Sequence, residues 1–592
     1  MTRKLRMVVA VLVLIGAGTL LVALGWHDLG GLLILFALAA AAAYLLIVVR
    51  PARIAPDSLL RVRLSGALRE HAPVPWLERL RGTQSPTLHQ LREAFQEVAS
   101  DARVSAVLIE IASLRCGLAS AQELHDLIGG LTAAGKRTIA VLEGDSLSTR
   151  EYLIAAAAGQ VIANPDATLA MVGLSAGGLF FKDALQRLRI DAQALQWKEY
   201  KGAAETFSRQ EMSAPLRDSI TALLGDSERL MVEYVARARR LSPSVARALL
   251  TCGFIGAQSA CANKLIDQIG YSQDLLSSYD PNDKRVLTLT RYLRRVRWRQ
   301  DRGKLPRIGL VFGVGPVLTG DEPLSGEFIS AVRTSAELLR AGRDERVKAV
   351  VFRVNSPGGA AVGSDLVWRA VKEVRRLGKP VVVSMGDVAG SGGYYVAAGA
   401  DAIVAQAATI TGSIGVVYVK FSLGALLQKL GVAADLVKMA PNGDAMSFTR
   451  ALDSEELQQL DQVMGELYGN FTAKVAEGRH LTPEQTEAVA KGRIWSGSAA
   501  LANGLVDALG GLDRAVAIAR EKAGLPPSQA LELATISVGL GGLKAALMPT
   551  AGGAAQGWAG LLTEIVGLPE TWLPALGKLR QGMALLSPWL FY

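Results

Sequence analysis

The sequence predicts an α/β protein built from two tandem copies of one unit behind an apolar amino-terminal segment. Three observations predict this class. A stretch of roughly 70 residues recurs in register along the chain, short β-branched runs alternate with amphipathic helical stretches in each copy, and two uncharged apolar runs lie within the first fifty or so residues. We expect parallel strands joined by right-handed crossovers, as βαβ units form.

The duplication is clearest at residues 101–111 (DARVSAVLIEI), which match residues 344–354 (DERVKAVVFRV). The register continues beyond this match, so that Tyr152 corresponds to Tyr394. Chance does not hold a register over this length, which indicates two copies of one unit.

The pattern divides the 592 residues into five segments, enough for several domain-sized cores. They are a membrane anchor with one or two transmembrane helices (1–54), a first repeat (55–279), a basic linker (280–306), a second repeat (307–535) and an amphipathic carboxyl-terminal tail (536–592). The linker reads either as a solvated connection or as a contact with anionic lipid headgroups.

The predicted anchor contains two apolar runs, residues 7–25 and 31–49, each long enough to span a bilayer at 1.5 Å per residue. Basic residues precede the first run (Arg3, Lys4 and Arg6) and follow the second (Arg50, Arg53, Arg61 and Arg63), so two spanning helices would leave the body in the cytosol. A single span would place the body on the opposite side. We expect a bacterial-type cytoplasmic (inner) membrane as the location and the lipid bilayer as a partner.

Charge and cysteine usage exclude several other classes. The formal net charge is +10, but basic and acidic residues are interleaved outside the linker, so we expect no nucleic-acid partner. The three cysteines have neither CxxC spacing nor histidine neighbours. The sequence therefore predicts no metal, no cofactor and no disulfide framework.

Two glycine-rich motifs in the second repeat are candidates for catalysis. Residues 355–359 (NSPGG) follow a predicted buried strand, where adjacent glycines let the backbone approach a substrate and direct N–H groups at an oxyanion. Residues 386–395 (GDVAGSGGYY) place Ser391 between glycines before a helix-compatible run, which suits a nucleophile. Each motif alone also fits an ordinary turn.

The comparison of the two copies strengthens both motifs. At the positions of Gly358 and Ser391 the first copy has Arg115 and Thr149, so only the second copy retains these features. None of the five histidines has a local triad context, which leaves lysine as the base. Lys201 lies among small and apolar residues and aligns with Pro441 in the second copy, so the losses are complementary.

These residues resemble the signal peptide peptidase A family, in its long duplicated form within the ClpP/crotonase-like superfamily. The resemblance covers about residues 55–535, through NSPGG, SGGYY, TGSIG at 411–415, YKGAAETF at 200–207 and GRIWSG at 492–497. It implies a membrane-bound serine endopeptidase that degrades cleaved signal peptides and other apolar peptides. It further implies a homotetramer and an extracytoplasmic body behind one anchor, from which the two apolar runs here depart.

The resemblance also implies a role for each site residue. Ser391 would be the nucleophile and Lys201 the general base. The oxyanion hole would use the N–H of Gly358 or Gly359 with that of Gly392, and Ser413 would hydrogen-bond the lysine ammonium.

Two rival functions remain from the residues themselves. A crotonase-type acyl-CoA enzyme would use the same glycine loop without a serine nucleophile. A non-catalytic membrane scaffold would retain only the fold. The complementary retention of Ser391 and Lys201 favours the protease over both.

Overall fold

The computed structural model describes residues 54–71, 85–280, 284–299, 305–320, 327–537 and 590–591. The two apolar runs and most of the predicted tail lie outside the described residues. Within the described ranges, no helix is long and apolar enough to cross a membrane.

The first repeat alternates strands and helices along the chain. Its elements are β1 (Ser58–Ala67), α1 (Leu88–Ser100), β2 (Val104–Arg115), α2 (Leu118–Ala133), β3 (Arg137–Leu142), β4 (Ser146–Ser148), α3 (Thr149–Ala156), β5 (Gln160–Ala163), β6 (Thr168–Met171), β7 (Ala176–Gly177), α4 (Lys182–Arg187), β8 (Asp191–Trp197), α5 (Glu205–Ser208), α6 (Ala214–Arg239), α7 (Pro243–Leu250), β9 (Gly253–Gly256), α8 (Ala257–Ala262), β10 (Gln268–Ile269), α9 (Ser272–Tyr279), β11 (Val286–Thr288) and α10 (Leu289–Arg299).

The second repeat follows almost the same order. Its elements are β12 (Arg307–Val314), β13 (Val317–Leu318), β14 (Ile329–Ser330), α11 (Ala331–Arg343), β15 (Val347–Ser356), α12 (Ala361–Arg376), β16 (Val381–Gly390), α13 (Gly392–Ala397), β17 (Ala402–Ala405), β18 (Ile410–Gly412), β19 (Val416–Ser422), α14 (Gly424–Lys429), α15 (Ser454–Arg479), α16 (Pro483–Val489), β20 (Ile494–Ser496), α17 (Gly497–Ala502), β21 (Ala508–Leu509), α18 (Leu512–Lys522) and β22 (Glu532–Thr535), with β23 (Leu590–Phe591) near the end of the chain.

The sheets repeat one topology. The first sheet has the order β10-β5-β3-β2-β1-β11 and the second contains β21-β17-β16-β15-β12-β22, with every one of these neighbours parallel. In the second repeat β16 also pairs with β18, which pairs antiparallel with β20. The corresponding strands β4, β6 and β9 form a separate sheet in the first repeat. The predicted parallel α/β class is confirmed.

Equivalent hydrogen bonds confirm the duplication at the level of single residues. The buried hydroxyl of Tyr152 donates to the carbonyl of Leu265 at 2.8 Å, and that of Tyr394 donates to the carbonyl of Leu505 at 2.9 Å. Each sheet has apolar clusters on both faces. This double burial explains why β2 and β15 read as nearly continuous apolar runs.

Three buried charged residues link the two repeats at the second sheet. Arg353 on β15 is 1% exposed and forms ion pairs with Glu70 at 2.9 Å and Glu123 at 2.8 Å, both from the first repeat. Glu70 also accepts from the side-chain amide of Asn355 at 3.3 Å. Because Asn355 opens the NSPGG loop, this cluster connects the first repeat directly to that loop.

Two further contacts also cross between the repeats. Asp387, from the second repeat, caps the start of α2 by accepting from the N–H and hydroxyl of Ser120, each at 2.7 Å. Strand β8 of the first repeat pairs antiparallel with β19 of the second over seven residues, from Asp191 opposite Ser422 to Trp197 opposite Val416. The chain emerging from β8 is thereby delivered to the second repeat.

Candidate active site

Ser391 lies at the turn between β16 and α13, where the strand reaches the helix without a loop. It is the N-cap residue of α13 and has φ 54° and ψ −120°, a conformation rare for a residue with a side chain. Its N–H donates to the carbonyl of Gly412 on β18 at 2.8 Å. Backbone strain of this kind persists where the surrounding structure enforces it, and it is concentrated at functional sites.

The glycines around Ser391 are required by close packing. A Cβ at Gly392 would lie 2.5 Å from the hydroxyl of Ser364, and one at Gly358 would lie 2.7 Å from the nitrogen of Gly392. Gly358 also has φ 106°. The NSPGG loop and the serine turn therefore touch through backbone atoms, which only glycine permits.

Lys201 reaches this turn from the first repeat. It follows β8 and precedes a short 3₁₀ turn, and its side chain is 4% exposed. The Nζ atom lies 3.0 Å from Ser391 Oγ, 2.7 Å from the carbonyl oxygen of Ser413 and 3.0 Å from Ser413 Oγ. The structure thus brings together all six site residues named from the sequence.

Burial lowers the pKa of Lys201 to about 7, because an ammonium group loses its hydration when it is removed from solvent. A neutral amine has two hydrogens and one lone pair. The carbonyl of Ser413 can only accept, and the hydroxyl of Ser413 can accept the second hydrogen. The lone pair then remains for the hydroxyl hydrogen of Ser391.

A loop from the second repeat encloses Lys201, a contact that the GRIWSG motif at 492–497 does not reveal from the sequence. A Cβ at Gly492 would lie 2.5 Å from the nitrogen of Lys201 and 2.6 Å from its Cα. The carbonyl of Arg493 accepts from the N–H of Ser413 at 2.7 Å. The Arg493 guanidinium lies 5.0 Å from the ring centre of Tyr200 and pairs with Asp218 at 3.0 Å.

The backbone donors near Ser391 are not equivalent. The N–H of Gly358 donates to Ser356 Oγ at 3.2 Å. The N–H of Val317 donates to the carbonyl of Gly358, and the carbonyl of Val317 accepts from the N–H of Ala360. The N–H of Gly359, which lies between these two bonds, therefore faces away from Val317. Among the hydrogen bonds of the described ranges, none is donated by the N–H of Gly359 or Gly392.

The first repeat has a conventional helix start at the position of the serine turn. Ser148 caps α3 with φ −72°, and Glu151 completes a capping box. The carboxylate of Glu151 also accepts from the N–H of Leu114 at 2.6 Å, and Arg150 donates to the carbonyl of Cys116 at 3.2 Å. Side chains of the first repeat therefore stand where glycines line the serine turn of the second.

The structure corrects one alignment made from the sequence. The N–H of Phe181 donates to the carbonyl of Thr206, and the N–H of Leu423 donates to the carbonyl of Phe448, each at 2.7 Å. These equivalent bonds join residues that lie 242 positions apart in the two repeats, and this offset of 242 makes Lys201 correspond to Gly443 rather than to Pro441. The second repeat lacks a lysine at this position in either alignment.

Comparison with known proteins identifies the family. The model of peptidase family S49 matches the chain twice, at residues 131–285 and 373–526, and these matches together cover just over half of it. The chain belongs to peptidase family S49. Each match falls on one copy of the duplication.

Relatives of this S49 peptidase agree with that assignment. This chain is 31% identical over 458 residues to Protease 4 of Salmonella typhi, and the match covers 75% of this chain and 73% of the relative. This chain is 29% identical over 496 residues to the chloroplastic serine protease SPPA of Arabidopsis thaliana, and the match covers 82% of this chain and 72% of the relative. Protease 4 of Haemophilus influenzae is 31% identical over 416 residues. This S49 peptidase is therefore a serine protease that acts on peptides.

Proposed function

We propose that this serine protease works through a Ser–Lys dyad in which Ser391 is the nucleophile and Lys201 the general base. The observation that carries the proposal is the 3.0 Å contact between Lys201 Nζ and Ser391 Oγ in a buried setting. A lysine with a pKa of about 7 is neutral in a large fraction of molecules at physiological pH, and a neutral amine can accept the hydroxyl proton.

In the proposed reaction Lys201 Nζ takes the proton of Ser391 as Oγ attacks the carbonyl carbon of the scissile bond. The ammonium then gives that proton to the leaving amine nitrogen, and an ester remains on Ser391. Water, deprotonated by the same amine, attacks the ester and restores the serine. Ser413, through its carbonyl and hydroxyl, would hold the lysine in one orientation throughout.

The N–H groups of Gly359 and Gly392 are the proposed oxyanion donors. A Cβ built on Gly392 would lie 3.0 Å from the nitrogen of Gly359, so the two glycines are adjacent at the serine turn. The alternative donor, Gly358, already donates to Ser356, which favours Gly359. Two fixed donors would stabilise the charge that develops on the substrate oxygen.

Cleaved signal peptides and other apolar peptides are the proposed substrates. One similar protein, from Enterococcus faecium, is named a putative signal peptide peptidase SppA and is 36% identical over 174 residues. We further propose that residues 1–54 anchor the enzyme in a bacterial-type cytoplasmic membrane. Two ClpP/crotonase-like repeats (55–279 and 307–535), a basic linker (280–306) and a tail (536–592) would follow.

We also propose a homotetramer, and the contact between repeats suggests how its subunits meet. In the offset of 242, the counterpart of β8 is the segment 433–439 of the second repeat, which is not paired in the described structure. Val437 and Met439 in that segment are 90% and 98% exposed. Within the described residues, this segment is a strand candidate with exposed apolar side chains and no strand partner.

The matching acceptor edge lies on the first repeat. Residues 174–180 correspond to β19, yet among the described residues they form only the two-residue pairing of β7 with β23, and Leu179 is 71% exposed. Pairing of segment 433–439 with residues 174–180 of a neighbouring subunit would repeat the β8–β19 contact between chains. Such a head-to-tail contact closes into a ring when its rotation permits.

Variants of the two dyad residues test the proposed mechanism. In a peptide-cleavage assay on detergent-solubilised protein, Ser391→Ala and Lys201→Ala should each lower kcat at least about 1,000-fold. The matched controls are Thr149→Ala, at the equivalent position of the first repeat, and Lys198→Ala, a neighbouring lysine paired with Glu487. Both controls should retain activity.

The same variants separate the rival functions. A serine-directed fluorophosphonate should label the wild type and fail to label Ser391→Ala. Absence of labelling in an active wild type would favour the acyl-CoA enzyme. Cellular activity that survives both Ser391→Ala and Lys201→Ala would favour a scaffold.

A further inference from the structure

Helix α10 has one face in the core and one basic face in solvent. Tyr292, Leu293 and Val296 are buried, whereas Arg291 and Arg294 are exposed. Within the part of the chain that the structure describes, neither exposed arginine forms an ion pair. Apolar burial therefore fixes the rotation of the helix and leaves uncompensated positive charge facing outward.

This helix lies beside the first sheet, at the end where the chain arrives from its amino-terminal segment. Strand β11, which leads into α10, pairs with the start of β1. The Tyr292 hydroxyl donates to Asp101, just before β2, at 3.2 Å. Helix α10 therefore lies beside the end of the sheet at which the parallel strands begin.

Acidic groups at this edge are already paired. Asp101 forms an ion pair with Arg103 at 2.6 Å, and Asp57 pairs with Arg285 at 3.0 Å. Glu97, on the neighbouring helix α1, has interactions of its own. The exposed lysine Lys284 adds another positive charge beside the helix.

The chain length between the apolar runs and this edge is short. Val49 ends the second run and Ile54 is already part of the described fold. Five residues span at most about 18 Å even when fully extended. If the second run lies in a bilayer, as the proposed function holds, the edge that carries α10 is within reach of the lipid headgroups.

We propose that the basic face, defined as Lys284, Arg291 and Arg294, binds the anionic phosphate headgroups of the membrane in which the enzyme is anchored. The inference rests on the proposed membrane anchor. Anionic headgroups attract basic residues held within a Debye length of the surface. The contact would fix the orientation of the catalytic body relative to the bilayer.

Arginine footprinting of the full-length wild-type chain tests this contact. The protein is placed in lipid nanodiscs of phosphatidylcholine, with or without about 30% phosphatidylglycerol, and modified with phenylglyoxal. Mass spectrometry then follows each arginine. Modification of Arg291 and Arg294 should slow at least about fivefold in the anionic discs and recover at about 0.5 M salt. Arg343 and Arg376, exposed on the second repeat, serve as internal controls.

Each result decides one proposal. Equal rates for Arg291 and Arg294 in both kinds of disc, with co-elution of protein and disc, would overturn the headgroup contact and leave the anchor standing. Failure to co-elute with either disc would overturn the membrane anchor and the headgroup contact together. Peptidase activity, measured in parallel, reports on the dyad independently of both.

Discussion

Lys201 Nζ and Ser391 Oγ lie 3.0 Å apart although their residues are separated by 190 positions in the chain. Each repeat supplies one of the two groups and lacks the other. The β8–β19 pairing delivers the lysine, and the β16–α13 turn presents the serine. The duplicated chain therefore brings the two groups of the proposed dyad together between its copies.

The pH dependence of cleavage should follow the protonation of Lys201. Because the neutral amine is the proposed base, kcat/KM should rise with pH through a midpoint near 7 and then level off. A peptide substrate without titratable groups in this range makes the measurement direct. A profile that is flat between about pH 6 and 8, or whose midpoint is that of an ordinary lysine, would contradict this role.

Replacement of Lys201 by methionine should stabilise the fold, and more so at acid pH. The pKa falls from 10.5 to about 7 on folding, so the unfolded chain binds more protons between these values and stability rises with pH across that window. The gain from Lys201→Met should be larger at about pH 6 than at about pH 9, by about 2–3 kcal/mol. Urea unfolding of both proteins at the two pH values measures it. An equal gain at both would show that the pKa is not lowered.

Gly492→Ala should inactivate the enzyme through the position of Lys201. The new Cβ would meet the lysine backbone at 2.5–2.6 Å, and misplacement of a catalytic group by about 1 Å can cost about 100-fold in rate. Gly378→Ala is the matched control, since Gly378 has the same φ of 82° but no atom within 4 Å of the added Cβ. Equal losses of kcat in the two variants would assign the effect to backbone strain alone.

Arg353→Met should loosen the joint between the repeats. It leaves Glu70 and Glu123 buried without their partner, and breaking a buried ion pair from one side costs about 3–5 kcal/mol. The urea midpoint of unfolding should fall. Peptidase activity should fall with it, because the cluster also holds Asn355. The control Arg376→Met removes an exposed pair with Glu373 and should change the urea midpoint little.

Charges in segment 433–439 should separate the subunits. Val437→Glu combined with Met439→Glu would place carboxylates in the proposed interchain contact, and analytical ultracentrifugation should show smaller species. Val245→Glu, a similar change at an exposed valine of α7, should leave the assembly intact. An unchanged tetramer in the double variant would exclude this segment from the interface.

Much of the architecture followed from the sequence because it depends on local pattern. The repeated register predicted two copies, and the alternation of β-branched runs with amphipathic helical stretches predicted parallel strands. The glycines beside Ser391 were recognisable because close backbone packing leaves no room for another residue. The lysine was found because only one copy retained it.

Other features depend on contacts that no local pattern encodes. The role of Gly492 and Arg493 in enclosing Lys201 arises from packing between distant segments. The choice between Gly358 and Gly359 required the hydrogen bond to Ser356. Arg353 and Glu70, which form a buried ion pair, are 283 residues apart in the chain.

By itself the sequence determined the duplication, the α/β class and which residue types each copy retained, since these depend on spacing and side-chain chemistry. Only the tertiary structure decided that Lys201 is buried, which lowers its pKa to about 7, and that its Nζ lies 3.0 Å from Ser391 Oγ. The physical reason is that desolvation and hydrogen-bond direction are properties of a packed site, and this site forms only where the two repeats meet.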